Sequence, residues 1–374
     1  MKIIVHYGEI GLKGKNRGFF ENRLIENIKN NLDVDEIKMD SKRVVVSSKS
    51  KDWKNLKNIF GIEYFSLVEE SELDVDKIIK KSLGMIKKLK IKNLALSTTR
   101  SDKSFPLTSL ELNKRIGEGV NKLGIKINFS DPDETLFIEI TSKNCYLYTK
   151  KIKGLGGLPV GSSGKVLCLF SGGIDSALAA YLMMKRGCKV DFLHFHALQN
   201  NKYVEETKIK TILDKLNVFQ SSCRMFVIPY HNYQLSSMEK VPESLDVVMF
   251  KNFMLRFGEV IARKNGYKAL ITGDSLGQVA SQTLDNINSS RFKVNLPILS
   301  PLLSFDKQEI VDLAKKIGTY EESIKKYKDC CSIISRKPST SVKIVEVEKV
   351  LEKLNFDKLI EESLDEMESV KLSF

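Results

Sequence analysis

One stretch near the middle of the chain constrains the fold more than any other, because an apolar run leads directly through two glycines into a helical pattern. Lys165–Phe170 has the composition of a buried strand, and Ala177–Arg186 has that of a helix. The turn between them is Ser171-Gly172-Gly173-Ile174-Asp175-Ser176, in which glycine permits a tight backbone path. Strand-like and helix-like runs continue to alternate after it, which indicates a parallel sheet covered by helices.

The same turn has the features of a phosphate-binding site. Backbone amides at the start of a helix point toward an anion, and the helix dipole favours negative charge there. Ser171 and Ser176 add hydroxyl groups. Asp175 would repel phosphates unless a cation lay between them, so we expect a nucleotide bound with Mg²⁺ and Asp175 as a metal ligand. The alternative is an ordinary Gly-Gly turn capped by serine.

The spacing of this turn differs from the Walker A pattern. It resembles the SGGxDS signature of the PP-loop ATP pyrophosphatases, in residues 171–176. The resemblance implies that ATP is cleaved between its α and β phosphates and that AMP is transferred to an oxygen of the substrate.

Length and charge indicate a multidomain protein with a polyanionic partner. A chain of 374 residues predicts two to three domains. No apolar run approaches the roughly 20 residues of a membrane span, and the start of the chain does not resemble a signal peptide, so we expect a cytoplasmic protein without membrane contact. The net charge is +13, with 31 Lys and Arg against 21 Asp and Glu in residues 1–165 and 29 against 26 in the rest. The basic first half suits nucleic acid.

The pattern of elements predicts three domains. Residues 1–60 follow the order of a small ferredoxin-like α+β unit, and residues 61–164 form a second α/β module. Five glycines and a proline mark a flexible linker at Lys153–Gly164. Residues 165–374 form the parallel-sheet domain, and residues 341–370 read as an amphipathic helical tail.

Two further strand ends carry polar segments. Ligands in parallel sheets lie beyond the carboxyl ends of the strands. His194 and Phe195 occupy one such end, as adenine contacts or as core residues. Thr272–Thr283 follows another strand, as a nucleotide-contacting loop or as a helix cap. Lys251 lies on a predicted helix, where most lysines are simply solvated.

Two loops in the first half combine basic and aromatic residues. Lys13, Lys15 and Arg17 lie in a glycine-spaced loop that suits a phosphate backbone. A second loop places Phe105 near two cations, either to stack on a base or to pack as a hydrophobic staple. The cations of that loop are Arg100 and Lys103.

The six cysteines contain no C-x-x-C pair, so a local zinc knuckle is not expected. Cys168 and Cys188 lie in apolar runs and are expected to be buried packing residues. Cys330 and Cys331 precede Arg336 and Lys337, and nearby cations favour a thiolate. These vicinal cysteines are therefore either a reactive pair or two inert loop residues.

Taken together, the segments resemble the tRNA 4-thiouridine synthetase family of tRNA sulfurtransferases. The resemblance covers nearly the whole chain and rests on Tyr7–Glu21, Ser101–Ser109, Ser171–Ser176, Val241–Arg256, Thr272–Ile287 and Cys330–Pro338. It implies an N-terminal ferredoxin-like domain, a THUMP RNA-binding domain and a PP-loop domain. It also implies that ATP adenylates O4 of uridine at tRNA position 8 and that sulfur then displaces AMP.

The resemblance assigns roles to individual residues. Asp175 would orient Mg²⁺ and pyrophosphate, Cys331 would be the thiol of sulfur transfer, and the N-terminal half would hold the tRNA acceptor arm. The implied ATP contacts, beside the turn residues Ser171, Gly172, Gly173 and Ser176, are Leu169, Phe170, His194, Phe195, Lys251, Gly273 and Gln282.

One departure concerns the sulfur donor. Many relatives carry a C-terminal rhodanese domain that bears the persulfide, and no room for one follows Phe374. We therefore expect a persulfide donor such as a cysteine desulfurase or a separate rhodanese-like carrier, or transfer through Cys330 and Cys331. An iron–sulfur cluster is not favoured, since no C-x-x-C pair is present. The resemblance also implies a homodimer and, for some relatives, a role in thiamine thiazole synthesis.

Two alternatives differ in class from this interpretation. The first is another PP-loop adenylating enzyme. The basic, RNA-binding first half argues against such an enzyme if it acts only on a small molecule. The second is a tRNA-binding module with a vestigial ATP site, against which the complete turn argues.

Overall fold

The computed structural model describes residues 1–327, 330 and 337–373. The chain divides into two compact units, Met1–Pro159 and Val160–Phe374. The division falls within the glycine-rich run that follows the last strand of the first unit.

The first unit is a mixed sheet with three α-helices against it. Its strands are β1 (Lys2–His6), β2 (Glu36–Asp40), β3 (Arg43–Ser47), β4 (Tyr64–Ser71), β5 (Asn93–Arg100), β6 (Lys126–Ile127), β7 (Glu134–Ile140), β8 (Cys145–Tyr148) and β9 (Ile152–Lys153). Its helices are α1 (Arg17–Asn31), α2 (Val75–Ile86) and α3 (Ser109–Lys122), with 3-10 turns at Glu9–Leu12, Gly14–Asn16 and Lys51–Asn58.

A continuous sheet runs through this unit in the order β2-β3-β1-β4-β8-β7-β5-β6, and β9 pairs with β4. β4 joins the two halves, since it pairs antiparallel with β1 along most of its length and with β8 at its end. Alternating apolar side chains pack one face of each half against helices, as a half-buried strand requires. The first predicted module and the second therefore share one hydrogen-bonded sheet.

A buried ionic cluster also connects the two halves of this sheet. Glu139 on β7 accepts hydrogen bonds from His6 (3.1 Å), from Arg43 and from Tyr148. Burial would raise the pKa of the Glu139 carboxyl, but the hydrogen bond from His6 and the charges of His6 and Arg43 lower it to about 2. Because the carboxylate is nine-tenths buried or more, its partners are required to keep it charged there.

The second unit is a sheet covered by helices on both faces. Its strands are β10 (Lys165–Leu169), β11 (Lys189–His196), β12 (Ser222–Pro229), β13 (Leu270–Ile271), β14 (Ile298–Leu299) and β15 (Glu368–Ser373). Its helices within the described ranges are α4 (Ile174–Lys185), α5 (Lys208–Asn217), α6 (His231–Ser237), α7 (Glu243–Asn265), α8 (Leu284–Ser290), α9 (Lys307–Lys316), α10 (Tyr320–Ser323), α11 (Ile344–Lys353) and α12 (Phe356–Asp365), with 3-10 turns at Asn201–Glu206 and Ala280–Gln282.

The strand order is β14-β13-β10-β11-β12-β15, and the first five strands are parallel. The α/β class and the parallel sheet predicted from the sequence are confirmed. The prediction of a helical tail over residues 341–370 is wrong at its end, because β15 pairs antiparallel with β12 as an edge strand. The alternation in Glu368–Ser373 is short, and the edge partner that stabilises it is remote in sequence.

α7 is the central helix of the apolar core. Its aromatic residues Phe250, Phe253 and Phe257 surround Phe195 of β11 with ring centroids 5.4 to 5.9 Å apart. Such edge-to-face contacts fix the position of the carboxyl end of β11. In the part of the chain that the structure describes, no helix has both the length and the hydropathy needed to cross a membrane.

Four cysteines belong to the packed interior. Cys168 and Cys188 are 0% and 5% exposed, which confirms their predicted role in packing. Burial raises the pKa of the Cys145 and Cys223 thiols to about 12. Because the thiolate is the nucleophile, these four side chains are poorly suited to sulfur chemistry.

Candidate nucleotide-binding site

The turn after β10 contains two glycines, of which Gly172 has a positive φ and Gly173 caps the following helix. Gly172 has φ +74°, and a Cβ there would lie 2.2 Å from Cδ1 of Ile209. Gly173 precedes α4 as its N-cap, and its amide donates to Oγ of Ser171 at 3.2 Å. Oγ of Ser176 in turn donates to the Gly173 carbonyl at 3.1 Å. The two hydroxyls therefore hold the turn in shape at the start of α4.

The loop after β13 packs directly against this turn. A Cβ on Gly273 would lie 2.8 Å from the backbone nitrogen of Ser176 and 2.9 Å from the carbonyl carbon of Asp175. Only glycine allows the two backbone segments to approach so closely. The carboxyl ends of the neighbouring strands β10 and β13 thus form one surface.

Asp175 lies in the first turn of α4, and both of its oxygens have partners. Lys307 approaches Oδ1 at 2.9 Å, and Nε2 of Gln278 donates to Oδ2 at 2.9 Å. Lys307 is the first residue of α9, where a capping box formed by Asp306 and Glu309 fixes the helix start. Neither Gln278 nor Lys307 was predicted as a site residue. Gln278 lies in the polar loop that the sequence singled out, whereas no motif surrounds Lys307.

A cavity of about 230 Å³ opens beside this surface. It brings together seven of the predicted site residues, namely the metal ligand Asp175 and six ATP contacts: Leu169, Ser171, Ser176, Lys251, Gly273 and Gln282. Its remaining lining residues come from α7 and from the loop after β13: Val247, Met254, Thr272, Asp274, Val279 and Ser281. The lining thus combines a cation, hydroxyl groups and apolar side chains, which suits a nucleoside phosphate.

Lys251 reaches the cavity from α7 with its ammonium on Asp274 Oδ1 at 2.6 Å. The two side chains are 12% and 6% exposed. Asp274 also accepts a hydrogen bond from Thr272 at 2.8 Å. The sequence pointed to Lys251 only through the family resemblance. Asp274 lies in the segment Thr272–Thr283, which the sequence predicts as a nucleotide-contacting loop. The alternative of a helix cap at Asp274 is wrong, because the next helical turn begins at Ala280.

A smaller cavity of about 80 Å³ adjoins the first, and the two share Leu169, Ser171 and Met254. Phe170 and Phe195 line it, as does Cys330, which is 1% exposed. The lining is almost entirely apolar, which suits a flat ring more than a phosphate. Cys331 and Arg336 lie outside the described residues.

His194 is not among the residues that line either cavity. Its ring is buried, with Nδ1 2.6 Å from the Phe170 carbonyl and Nε2 2.8 Å from Oη of Tyr327. Burial lowers the pKa of His194 to about 4, against a hydrogen bond to Phe170 that favours the charged form. The ring is therefore neutral near pH 7, and its contact with the Phe170 carbonyl holds the residue that follows β10.

A magnesium ion fits the residues present. Among the described residues no group of three or more His, Cys, Asp or Glu side chains could hold a metal. Mg²⁺ at nucleotide sites is usually bound by one or two carboxylates together with phosphates and water. Asp175 supplies a carboxylate at the mouth of the amide-lined turn, which is the donor set that such an ion requires.

The predicted RNA contacts of the first unit are partly accessible. Lys15 and Lys103 are exposed, whereas Lys13 is half-buried and lies 3.5 Å from Glu9. Arg17 donates to the Gly11 carbonyl at 3.0 Å, which stabilises its own loop.

The prediction that Phe105 stacks on a base is corrected by its burial. Its side chain is 6% exposed and belongs to the core around α3. Arg100 donates to the carbonyls of Phe105 and Leu107 at 3.0 and 2.6 Å, so it holds this loop in place. The packing alternative is therefore the correct one for Phe105, and the sequence could not decide it because an aromatic residue before a helix serves either purpose.

Comparisons with known proteins match every part of this architecture. Residues 161–356 match the family described as "Thiamine biosynthesis protein (ThiI)", residues 2–66 match "ThiI ferredoxin-like domain", and residues 72–150 match "THUMP domain". A "Probable tRNA sulfurtransferase" from Caldanaerobacter subterraneus is 38% identical over 98% of both chains. One with the same description from Brevibacillus brevis is 36% identical over 97% of this chain and 94% of the relative.

Among solved structures, a 4-thiouridine synthetase in complex with RNA and with bound ATP superimposes with a TM-score of 0.90. It is 32% identical and covers 100% of this chain, which covers 99% of that one. The fold class and the family predicted from the sequence are thereby confirmed. The chain belongs to the ThiI family, that of the ATP-dependent tRNA sulfurtransferases.

Proposed function

We propose that this protein uses ATP to adenylate O4 of uridine at position 8 of tRNA and then replaces that oxygen with sulfur. The observation that carries the proposal is the single cavity in which the glycine turn, Asp175 and Lys251 meet at the carboxyl ends of β10 and β13. Such a site suits a triphosphate, and adenylyl transfer to an RNA base requires that base as a second substrate. The relatives' names support tRNA as that substrate and 4-thiouridine as the product.

In the first step the uracil O4 attacks the α-phosphorus of ATP, and pyrophosphate leaves. The amides at the start of α4 and the hydroxyls of Ser171 and Ser176 bind the phosphates, and Lys251 faces the charge that develops on the α-phosphate. Phe170 and Phe195 hold the adenine in the apolar cavity. Bound Mg²⁺ neutralises phosphate charge in such sites, and Asp175 is the residue that would hold it.

The second step forms a carbon–sulfur bond. A persulfide carried by a separate donor protein attacks C4 of the base with its terminal sulfur, and AMP leaves with the former O4. Cys331 then attacks the donor cysteine's sulfur, which releases 4-thiouridine and leaves a disulfide between Cys331 and the donor. Atoms and electrons balance, because the disulfide retains the two oxidising equivalents that the persulfide brought; a cellular dithiol reduces it afterwards.

The first unit provides the tRNA-binding half of the protein. We propose residues 1–60 as the ferredoxin-like domain, 61–164 as the THUMP domain and 165–374 as the PP-loop domain. Exposed Lys15 and Lys103, with Lys13 and Arg17, would contact the phosphates of the acceptor arm. Homodimerisation, a cytoplasmic location and sulfur transfer for thiamine thiazole stay predictions.

The experiment that tests the proposal is ATP–pyrophosphate exchange with unmodified tRNA as the acceptor. We expect exchange that requires tRNA, that disappears in Asp175→Ala, and that persists in Cys331→Ser although the latter forms no 4-thiouridine. Exchange without tRNA but with a small acceptor would instead favour a different adenylating enzyme. No turnover under any condition would favour a tRNA-binding module with an inactive ATP site.

A further inference from the structure

A directional chain of hydrogen bonds ends at the cation that faces the nucleotide cavity. Nη2 of Arg291 donates to Oγ of Ser300 at 2.7 Å, and the Ser300 hydroxyl lies 2.7 Å from Oγ1 of Thr272. Thr272 lies 2.8 Å from Asp274 Oδ2, and the Lys251 ammonium lies 2.6 Å from Asp274 Oδ1.

The donors and acceptors in this chain can be ordered in one way. A carboxylate only accepts, so the single hydroxyl proton of Thr272 points to Asp274. Ser300 must then donate to Thr272 and accept from Arg291, whose guanidinium only donates. Both oxygens of Asp274 thus have hydrogen-bond partners. The chain that fixes its orientation consists of Thr272, Ser300 and Arg291, which directly follow β13, β14 and α8.

The Asp274 carboxylate lies at the edge of the cavity and is almost completely buried. Asp274 is 4% exposed as a residue, and it lines the cavity together with Lys251 and Thr272. Arg291 lies 3.8 Å from Asp274 Oδ2, so a second cation partly balances the same carboxylate. A flexible lysine side chain on α7 is thereby held by a rigid partner, which reduces the rotamer entropy that it would otherwise lose when a phosphate arrives.

We propose that Asp274 is a positioning residue for adenylyl transfer, which acts by holding Lys251 against the α-phosphate of ATP while Thr272, Ser300 and Arg291 fix its own orientation. The inference rests on the proposed function and adds a residue that has no contact with the reacting atoms. It predicts that Asp274 acts on the rate only through Lys251.

The test is a double-mutant cycle in tRNA-dependent ATP–pyrophosphate exchange with Asp274→Asn, Lys251→Gln and the double variant. We expect Asp274→Asn to lower kcat by about 30-fold or more, with KM for ATP within about 3-fold, because placement of the ammonium matters most as charge develops. The double variant should be no slower than Lys251→Gln alone, since residues that act as a unit are not additive. If the double variant loses kcat by the product of the two single losses, the proposal is wrong.

Binding and folding are followed in the same variants. The affinity for α,β-methylene ATP, measured by calorimetry, should change by less than about 3-fold in Asp274→Asn; a collapse of binding would show that Asp274 is part of the binding site instead. Asp191→Asn is the matched control, since Asp191 accepts a hydrogen bond from Tyr267 at 2.7 Å near the start of β11, and its kcat should equal that of the wild type.

If Asp274→Asn does not fold, Asp274→Glu decides the question. It keeps the charge and moves the carboxylate by about one methylene, so a folded Glu variant with the full wild-type rate would refute the proposal, whereas a folded variant with reduced kcat and unchanged KM would support it. Wild-type protein in the same assay separates the two hypotheses. If it shows no tRNA-dependent exchange, the proposed function fails first; if it exchanges while the cycle is additive, only the role of Asp274 fails.

Discussion

Lys307 holds one oxygen of Asp175 at 2.9 Å while Gln278 holds the other at the same distance. The carboxylate that we propose as a ligand for Mg²⁺ thus pairs with a cation from a helix more than a hundred residues away in sequence. Because the Lys307 side chain is half exposed, it can move from the carboxylate to a phosphate without losing hydration. This arrangement makes Lys307 a candidate contact for the departing pyrophosphate.

Replacing Lys307 should therefore affect the reaction more than the fold. We expect Lys307→Met to lower the rate of ATP–pyrophosphate exchange by at least about 10-fold, whereas the midpoint of thermal unfolding stays within a few degrees, because exposed ion pairs contribute little to stability. Lys316→Met, an exposed lysine at the other end of α9, is the control. Equal rates in the two variants would remove Lys307 from the site.

Gly273 should tolerate no side chain. In Gly273→Ala the added Cβ would meet the backbone of Asp175 and Ser176 at less than 3 Å, so the loop after β13 must move away from the turn. We expect kcat/KM for ATP to fall about 100-fold, as it does when reacting groups are displaced by about 1 Å.

The matched control for that variant is Gly84→Ala on α2, where no atom beyond the adjoining residues and the backbone of the same helix lies within 4 Å of the added carbon. It should leave exchange unchanged and raise the free energy of unfolding by up to about 1 kcal/mol, since alanine favours the helix interior. Full activity in Gly273→Ala would show that the close approach of the two segments is not needed for nucleotide binding.

The buried ring of His194 should make stability depend on pH. Its folded-state pKa of about 4 lies below the ordinary value of 6.5, so the unfolded chain binds more protons between these values. Stability is therefore complete above about pH 6.5 and is lost as the pH falls toward 4, by about 2 kcal/mol at pH 5.

Denaturant titrations of the ATP-free protein at pH 5 and pH 7.5 measure this loss. His194→Asn should show a smaller difference between the two pH values than the wild type. Burial also lowers the pKa of His196, so part of the dependence should persist in the variant. An unchanged difference in His194→Asn would mean that its ring is not the group that titrates.

Binding of tRNA should depend steeply on salt through the N-terminal loop. If Lys13, Lys15 and Arg17 contact phosphates, each serine substitution should reduce the slope of log Kd against log salt by roughly one. Lys29→Ser serves as the control, because Lys29 is exposed at the far end of α1. Slopes that match the wild type in all three variants would place the RNA on another surface.

The sequence predicted the glycine turn and most of its cavity because local rules decide them. A strand, two glycines and a helix start are adjacent in the chain, and residues after neighbouring parallel strands must share one edge of the sheet. The turn that begins at Ser171 and the loop Thr272–Thr283 were placed at one edge for this reason, whereas Leu169, Gly273 and Gln282 were named individually through the resemblance. Lys251 entered through the resemblance alone, since a lysine on a helix carries no local signal.

What the sequence missed depends on tertiary contacts. Lys307 and Ser300 reach the site from segments with no motif, and only the folded chain brings Lys307 to Asp175 and Ser300 to Thr272. Phe105 fits a base-stacking role and a packing role equally well until its burial is known. The strand Glu368–Ser373 is a similar case, because the edge of β12 rather than local propensity decides its conformation.

The sheet that crosses the first unit limits how this protein can be dissected in the laboratory. An excised RNA-binding fragment that began at residue 61 would keep β4 but lose β1, and a row of unpaired backbone groups would invite aggregation. The fragment would also leave the Glu139 carboxylate buried without its partners His6 and Arg43. Expression clones meant to yield a folded first unit should therefore start at Met1.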